Sequence, residues 1–555
     1  PETHKFQVFA EGGGNAFSVE FDSKGRVFSG YNGGNTRGFH YWHGGYYNKG
    51  NLAKYGPVSN PHSFGELPWI AHDKVPRFTH TFLVYEGGAL SQKYHGKMFC
   101  GDPLHRNIVL TDRFPDGSTI KTEDLGFVLE SEDTAFRPID IKTGPDGAVY
   151  ISDWTEELIA HGQHFQGQID PTNGRIYRIR EKGASAIKPF NLATKTTDEL
   201  IDTLTHENKW FRQEALRLLA DRSDRSAIPR LRKLAHEDDS QLSLEAVWAL
   251  NASGGFNDTL AVDLLSSADE HIRAWAIRLA CDDEAIEETL ANEIQDLAAK
   301  DPSAIVRAQM AVSARRLPSS QALPIVRELL EHDIDAEDPH IPLLLWWALE
   351  DSYESHRDEI VGWFADPLLW SKRLAREHIL SRLMRRAAIA EKRQDLLACA
   401  RLLNSAPTKN DAESLMAGFE LAFKGRTLPP LPDELAEAMA KVGAESLALK
   451  IRQGDATAID QALAILVDTK ADLSKRLLYT QTFGEISQSK SIPALLKLAA
   501  TAAKTPDLQK AALTSLQRYN QPDIGSRIIE LYSEFEDGVL PAAQTLLASR
   551  PTWSR

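Results

Sequence analysis

"FRPIDIKTGPDGAVYISDW", residues 136–154, decides the reading of the first part of the chain. Two short strand-like runs flank a Pro-Asp-Gly turn, so the stretch reads as a β-hairpin whose turn glycine supplies a positive φ. It has an earlier copy. "SVEFDSKGRVFSG" (18–30) aligns with "DIKTGPDGAVYIS" (140–152), setting Gly25 on Gly147, Val27 on Val149 and Phe28 on Tyr150. The offset accommodates three units of about 40 residues, a propeller-blade length. "FTHTFLVYEGG" and "GKMFCGDPLHRNIVLTD" supply strands between the copies, and "GRIYRIR" (174–180) closes the last unit. Three to four blades fit into this length, fewer than a closed ring normally has. Further blades are therefore expected from an upstream segment or from another chain.

Near residue 183 the character changes from Gly, Asn and aromatic residues to Ala, Leu, Glu and Arg. "WFRQEALRLLA" (210–220), "QLSLEAVWALN" (241–251), "HIRAWAIRLAC" (271–281) and "IVRAQMAVSAR" (305–315) share one pattern. Arg212, Ser243, Arg273 and Arg307 hold one slot; Ala215, Ala246, Ala276 and Met310 hold another. Apolar residues at i, i+3 and i+4 mark amphipathic helices, and paired helices at this period make a HEAT-type solenoid. The expected fold class is multidomain, β then α: partial β-propeller over 1–182, a linker over 183–196, and an α-solenoid over 197–555. Trp210, Trp248, Trp275, Trp346 and Trp347 are expected in the solenoid core, because helix-spaced aromatics usually are.

Composition narrows the partners. The chain has 555 residues and a net charge of −15, with 19 Lys+Arg against 22 Asp+Glu up to residue 182 and 44 against 56 beyond it. That balance argues against nucleic acid and anionic membrane as main partners. No apolar run approaches the roughly 18–20 residues of a membrane helix. Cys100, Cys281 and Cys399 are far apart and form no CxxC. They suit neither a zinc site nor a haem attachment.

Several constellations are candidates for chemistry. His105, Arg106 and Asn107 stand where a strand begins. Arg offers a bidentate fork and Asn a donor–acceptor pair, a set able to hold carboxylates and carbonyls; the other reading pairs Arg106 with Asp102 or Asp112. His80 lies among apolar neighbours, as a general base of lowered pKa or as a core histidine. Arg137 precedes Pro138, which extends the backbone, and either faces a central channel or bridges to a neighbouring blade. The Gly- and aromatic-rich stretch 31–50, with Tyr41, Trp42 and His43, suits carbohydrate stacking or self-packing. His161 and His164, at i and i+3, could share a metal if helical, but Gly162 weakens that helix.

The order "FRPIDIKTGPDGAVYISDW", "GRIYRI", HEAT repeats with "LLLWWALED" (343–351), and a terminal "TLLASRPTW" resembles one family. This is the membrane-bound dehydrogenase-type, haem-binding (CxxCH) family of Planctomycetes and Verrucomicrobia. Its propeller is similar to soluble quinoprotein glucose and sorbosone dehydrogenases. The resemblance implies an exported, periplasmic-type redox protein that oxidises a sugar or related alcohol. The His-Arg-Asn motif is similar to one near the cofactor of those enzymes; joined to the readings above, it makes His80 the expected base, Arg106, Asn107 and Arg137 the expected holders of a PQQ-like quinone, and Tyr41, Trp42 and His43 the expected substrate contacts. Electrons would pass to a cytochrome c domain carrying haem c. No CxxCH occurs here, and the Pro and Gly expected after His-Arg-Asn are replaced by Ile108 and Val109. The rival expectation is a non-catalytic scaffold, with a glycan or protein on the propeller and partners on the solenoid.

Overall fold

The computed structural model describes residues 6–50, 56–75, 79–157, 172–184, 187–237, 241–426, 428–443, 446–502 and 504–553. The repeat read from the sequence becomes a series of separate antiparallel sheets. The first joins β2 (Val19–Phe21), β3 (Val27–Ser29) and β4 (Phe39–Tyr41). The second joins β6 (Thr81–Val84), β7 (Met98–Asp102), β8 (Asn107–Asp116) and β9 (Thr119–Glu130). The third joins β10 (Pro138–Thr143), β11 (Val149–Asp153) and β12 (Arg175–Ile179). A short parallel pair, β1 (Ala10–Glu11) with β5 (Gly45–Tyr46), gives the first strand a partner inside its own chain. No closed ring of sheets forms among the described residues.

The opening stretch is the β10–β11 hairpin, with Gly147 at φ +74°, and Gly25 turns its earlier copy at φ +71°. The first strands β2, β6 and β10 lie side by side. Equivalent side chains meet along them: Ser18 Oγ is 2.7 Å from Thr81 Oγ1, which is 3.5 Å from Asp140 Oδ1. Each later sheet also buries an apolar face on the sheet before it. Phe82 and Val84 pack with Phe28, and Ile141 packs with Leu83, Phe99 and Ile108.

The helical region begins with α1 (Thr197–Thr203), whose capping box joins Thr196 and Glu199. Then follow α2 (Lys209–Arg222), α3 (Ile228–Ala235), α4 (Gln241–Ala252), α5 (Asp258–Leu264), α6 (Glu270–Cys281), α7 (Glu288–Ala298), α8 (Ala304–Ala314), α9 (Ser319–Leu329) and α10 (Ile341–Trp363). Helices α2, α4, α6 and α8 stack in one layer. The arginine slot explains their register. Arg273 binds Asp301 through Nε and Nη2 (2.7 and 2.9 Å) and donates Nη1 to the carbonyls of Ser267 and Ala268. Arg307 repeats this with Asp335 and the Asp301 carbonyl, and Arg212 with Glu245 and the carbonyls of His206 and Glu207. Ser243, in the same slot, bonds the carbonyl of Glu237. Each arginine thus ties its own interhelix turn to the next repeat.

Residues 1–356 with 372–378 form one compact unit, so the sheets and helices α1 to α9 pack as a single body. The seam is made by tryptophans that the sequence assigns to the solenoid core. Trp275 Nε1 donates to Lys24 O (2.8 Å), Trp346 Nε1 to His62 O (3.0 Å) and Trp347 Nε1 to Ser63 O (2.9 Å). Gly25 presses on Trp275 and Trp248 so closely that a Cβ would sit 2.5 and 3.0 Å from their rings. Lys209 reaches Glu20 Oε1 (2.8 Å), Asn208 the Gly144 carbonyl (3.0 Å), and Asp338 Ser118 Oγ (2.6 Å). Trp346 and Trp347 are buried and Trp248 and Trp275 half-buried, but between sheets and helices rather than within the helical stack. The second unit, 357–371 with 379–555, has its own core of Ala and Leu around Phe483, Tyr519 and Trp553.

Replacing Arg307 by Ala should cost about 3–5 kcal/mol, because Asp335 would keep a buried, unpaired charge. Arg307→Met with Asp335→Leu should recover most of that loss. Chemical denaturation monitored at the first unit's tryptophans checks both.

Candidate functional site

Antiparallel register places the turns of the sheets at two opposite ends. The 22–25, 86–97 and 143–148 turns meet the helices. The other end carries the β7–β8 turn, the start of β10 and the end of β11, because Thr81 pairs with Gly101 and Pro138 with Asp153. Most of the sequence-selected polar residues lie at this second end.

Two aspartates build it. Asp102 ends β7 and accepts the Leu104 and His105 amides on Oδ1 (3.0 Å each) and His105 Nδ1 on Oδ2 (2.7 Å). Burial raises its pKa against those bonds. Asp153 ends β11 in the same way, with Oδ1 accepting the Arg137 amide (2.7 Å) and the Thr155 amide (2.9 Å). The sequence offers the parallel, "MFCGD" beside "VYISD", but neither aspartate stands out without the turns they hold.

The Asp102 turn forces Arg106 to φ +62°, a left-handed conformation that is uncommon for a non-glycine residue. Its side chain bonds to neither Asp102, which holds His105, nor Asp112, which holds Lys97. Arg106 Nε and Asn107 Oδ1 are buried without a hydrogen-bond partner among the described residues. Arg137 is buried, donating Nη1 to Phe136 O (2.9 Å) and Nη2 to Glu157 O (2.7 Å). Burial lowers its pKa, and the Arg106 charge lowers it further, against Asp153 and Asp133. Two arginines from different sheets therefore lie within electrostatic reach of each other, and neither makes a direct ion pair among the described residues.

His80 is at the same end. Its ring is buried and meets Phe17 edge-on at 4.1 Å, and its carbonyl accepts the Phe17 amide (2.9 Å). The 31–50 stretch divides. Tyr31 bridges to Thr79 beside His80, and Arg37 ties its loop to Thr79 Oγ1 (2.9 Å) and Asp124 (3.0 Å). Half-exposed Trp69, which carried no signal in the sequence, stacks on Tyr31 at 6.2 Å. Tyr41, Trp42 and His43 lie at the opposite end of β4, against the helices. Trp42 is buried and donates Nε1 to His340 Nδ1 (2.9 Å). Tyr41 accepts from Ser29 Oγ (2.9 Å), and His43 stacks on Phe9 at 5.1 Å beside Arg316. The structure does not bring these three to Arg106 and Arg137. His161 and His164 lie outside the described residues. Among the described residues no cluster of His, Cys, Asp or Glu is arranged for a metal ion, and no helix is long and apolar enough to cross a membrane.

Comparison with known proteins agrees with the division into β and α parts. Residues 1–183 match a family described as a domain of unknown function (DUF7133), and residues 197–262 match HEAT repeats. No curated protein matches the chain. One solved structure, an engineered protein studied by the Northeast Structural Genomics Consortium, is 17% identical over 64% of this chain and 98% of its own. Its TM-score of 0.28 is too low to carry an argument about fold.

The seam histidines make stability depend on pH. Burial and the charges of Arg316, Arg278 and Arg315 lower the His43 pKa to about 4, and burial lowers those of His40 and His340. Between the unfolded value near 6.5 and these folded values, the unfolded chain binds more protons. Stability is therefore complete above about pH 6.5 and falls as pH drops toward 4. Thermal melts from pH 7 to 4.5 should show this decline, and His340→Gln should flatten it.

Proposed function

We propose that residues 1–182 are blades of a larger β-propeller in an exported, dehydrogenase-like redox protein that oxidises a sugar or related alcohol. In this reading the end opposite the helices is its ligand face. The convergence of Arg106 and Arg137 from separate sheets, beside unbonded polar atoms of Arg106 and Asn107, carries the reading. Such a set suits an anionic, carbonyl-bearing ligand of the PQQ class. Arg106 supplies the fork. Arg137 supplies charge and Nε, since both of its terminal nitrogens are held by carbonyls. Asn107 supplies an amide. A quinone held by these residues would supply the two-electron oxidant for the alcohol, with a cytochrome c domain as the expected electron partner. His80 is positioned to take the hydroxyl proton only if the Phe17 ring turns aside.

The assembly of further blades has its own support. Val19 and Phe21 on β2 correspond to Phe82 and Val84 on β6. The β6 pair is 1% exposed beneath the preceding sheet, whereas Val19 and Phe21 are 52% and 47% exposed. The occupant of that face is a preceding sheet of the same build. Residues 1–555 alone should self-associate with concentration in sedimentation experiments, and Val19→Lys with Phe21→Lys should suppress that.

A second reading, a glycan- or protein-binding scaffold without catalysis, is favoured by the cover of Phe17 over His80 and by half-exposed Trp69 beside Tyr31. Titration with the quinone, read by fluorescence, and dye-linked turnover of sugars separate the two. The dehydrogenase reading expects saturable binding that Arg106→Ala abolishes with little change in Tm, and turnover that His80→Gln abolishes without loss of binding. Absence of quinone binding in the parent chain leaves the scaffold as the reading of choice.

A further inference from the structure

We propose that the seam between sheets and helices holds a binding site for a small oxyanion of the phosphate or sulfate class, lined by Lys24, Arg26, His40, His43, His271 and Arg278. The cavity encloses about 40 Å³, room for roughly three water molecules. Phe9, Trp42 and Trp275 complete much of its wall, and its lining contains no carboxylate side chain. That is unusual in a chain of net charge −15.

The cations around it are unequally neutralised. Arg26 is bound to Asp22 at 2.7 Å, and Asp22 also serves Arg113. Lys24 has only a loose contact with Asp269, at 3.9 Å. Asp282 is engaged by Arg316. Arg278 makes no hydrogen bond or ion pair among the described residues, and its Nε is buried. Its guanidinium carbon lies 4.4 Å from the Trp275 ring centroid and 5.4 Å from that of Phe9 instead. A guanidinium fixed on aromatic faces keeps its N–H edge free for an acceptor in the ring plane.

Asp282 offsets only part of the cost of burying this cation, and the protein's response is visible in its neighbours. Burial lowers the Arg278 pKa, and burial with the surrounding arginines keeps His43 neutral. An oxyanion with several acceptor atoms would satisfy the Arg278 edge and the imidazoles together. Because Lys24, Arg26, His40 and His43 come from the sheets, and His271 and Arg278 from α6, the ion would also bind the two parts to each other.

Thermal melts of the full chain in inorganic phosphate, against chloride at matched ionic strength, test the site. Phosphate should raise Tm saturably by about 2–4 °C, with sulfate acting alike. Arg278→Gln should remove the increment. Gln309→Glu, which sets a carboxylate into the cavity wall, should raise Tm without phosphate and also remove the increment; it serves even if Arg278→Gln does not fold. A rise that never saturates and persists in the variants is general salt stabilisation and overturns the proposal. So does a wild-type chain with no advantage of phosphate over chloride, or a Gln309→Glu chain that melts lower and keeps the increment.

Discussion

The first unit depends on the contact between helix side chains and the backbone of β-turns. A turn carries carbonyls that no neighbouring strand can use, and burying them unpaired would be costly. Here the helices supply the donors: Trp275 to Lys24, Gln241 to Ser23 (2.6 Å), Asn208 to Gly144, and Arg315 to Gly44 (2.6 Å). The apolar body of each tryptophan covers the turn while its N–H satisfies it. Gly25 completes the fit, since its φ and the nearness of two indole rings both exclude a side chain.

The same logic orders the solenoid. HEAT helices need a constant offset between repeats, and apolar packing alone allows sliding. The Arg212, Arg273 and Arg307 bonds to carbonyls of their own turn and to a carboxylate of the next repeat fix that offset by direction as well as by contact. These pairs are buried, so their net contribution to stability is small and their contribution to register is the greater one. Trp248 and Trp275, from neighbouring repeats, are thereby brought together on the Gly25 turn.

Much of the β and α division was legible because it rests on local signals. The Gly25 and Gly147 turns, the strand pattern after them and the arginine slot are all visible in one sequence, and the structure places each at an equivalent position. The helical tryptophans misled because periodicity shows which residues are buried but not against what. Tyr41, Trp42 and His43 misled for a related reason: a Gly- and aromatic-rich stretch reads as one loop, yet β4 runs through it and carries its two halves to opposite ends of a sheet. Arg106 and Arg137 were legible as polar residues at strand ends. Their approach to each other, and the aspartates that cause it, needed long-range pairing that sequence spacing does not encode.

The two ends of the sheets also have opposite electrostatic economies. At the end away from the helices, Asp102 and Asp153 spend their acceptors mainly on turn amides, and Arg106 is left without a salt bridge. In the seam, Asp22 is bound to Arg26 and Asp282 lies 3.5 Å from Arg316, while Arg278 feels the Asp282 charge without a direct ion pair among the described residues and rests against aromatic rings. Arg212, Arg273 and Arg307 of the helical repeat, by contrast, are each matched to a carboxylate. A repeat that pairs these three arginines so regularly is under no structural pressure to leave Arg106 and Arg278 unmatched. Sheet and helix geometry would be served as well by an uncharged side chain at either place. The departures from the repeat's own pairing rule are therefore where ligand chemistry is to be sought: an anionic organic ligand at the open end, and a small inorganic anion in the enclosed one.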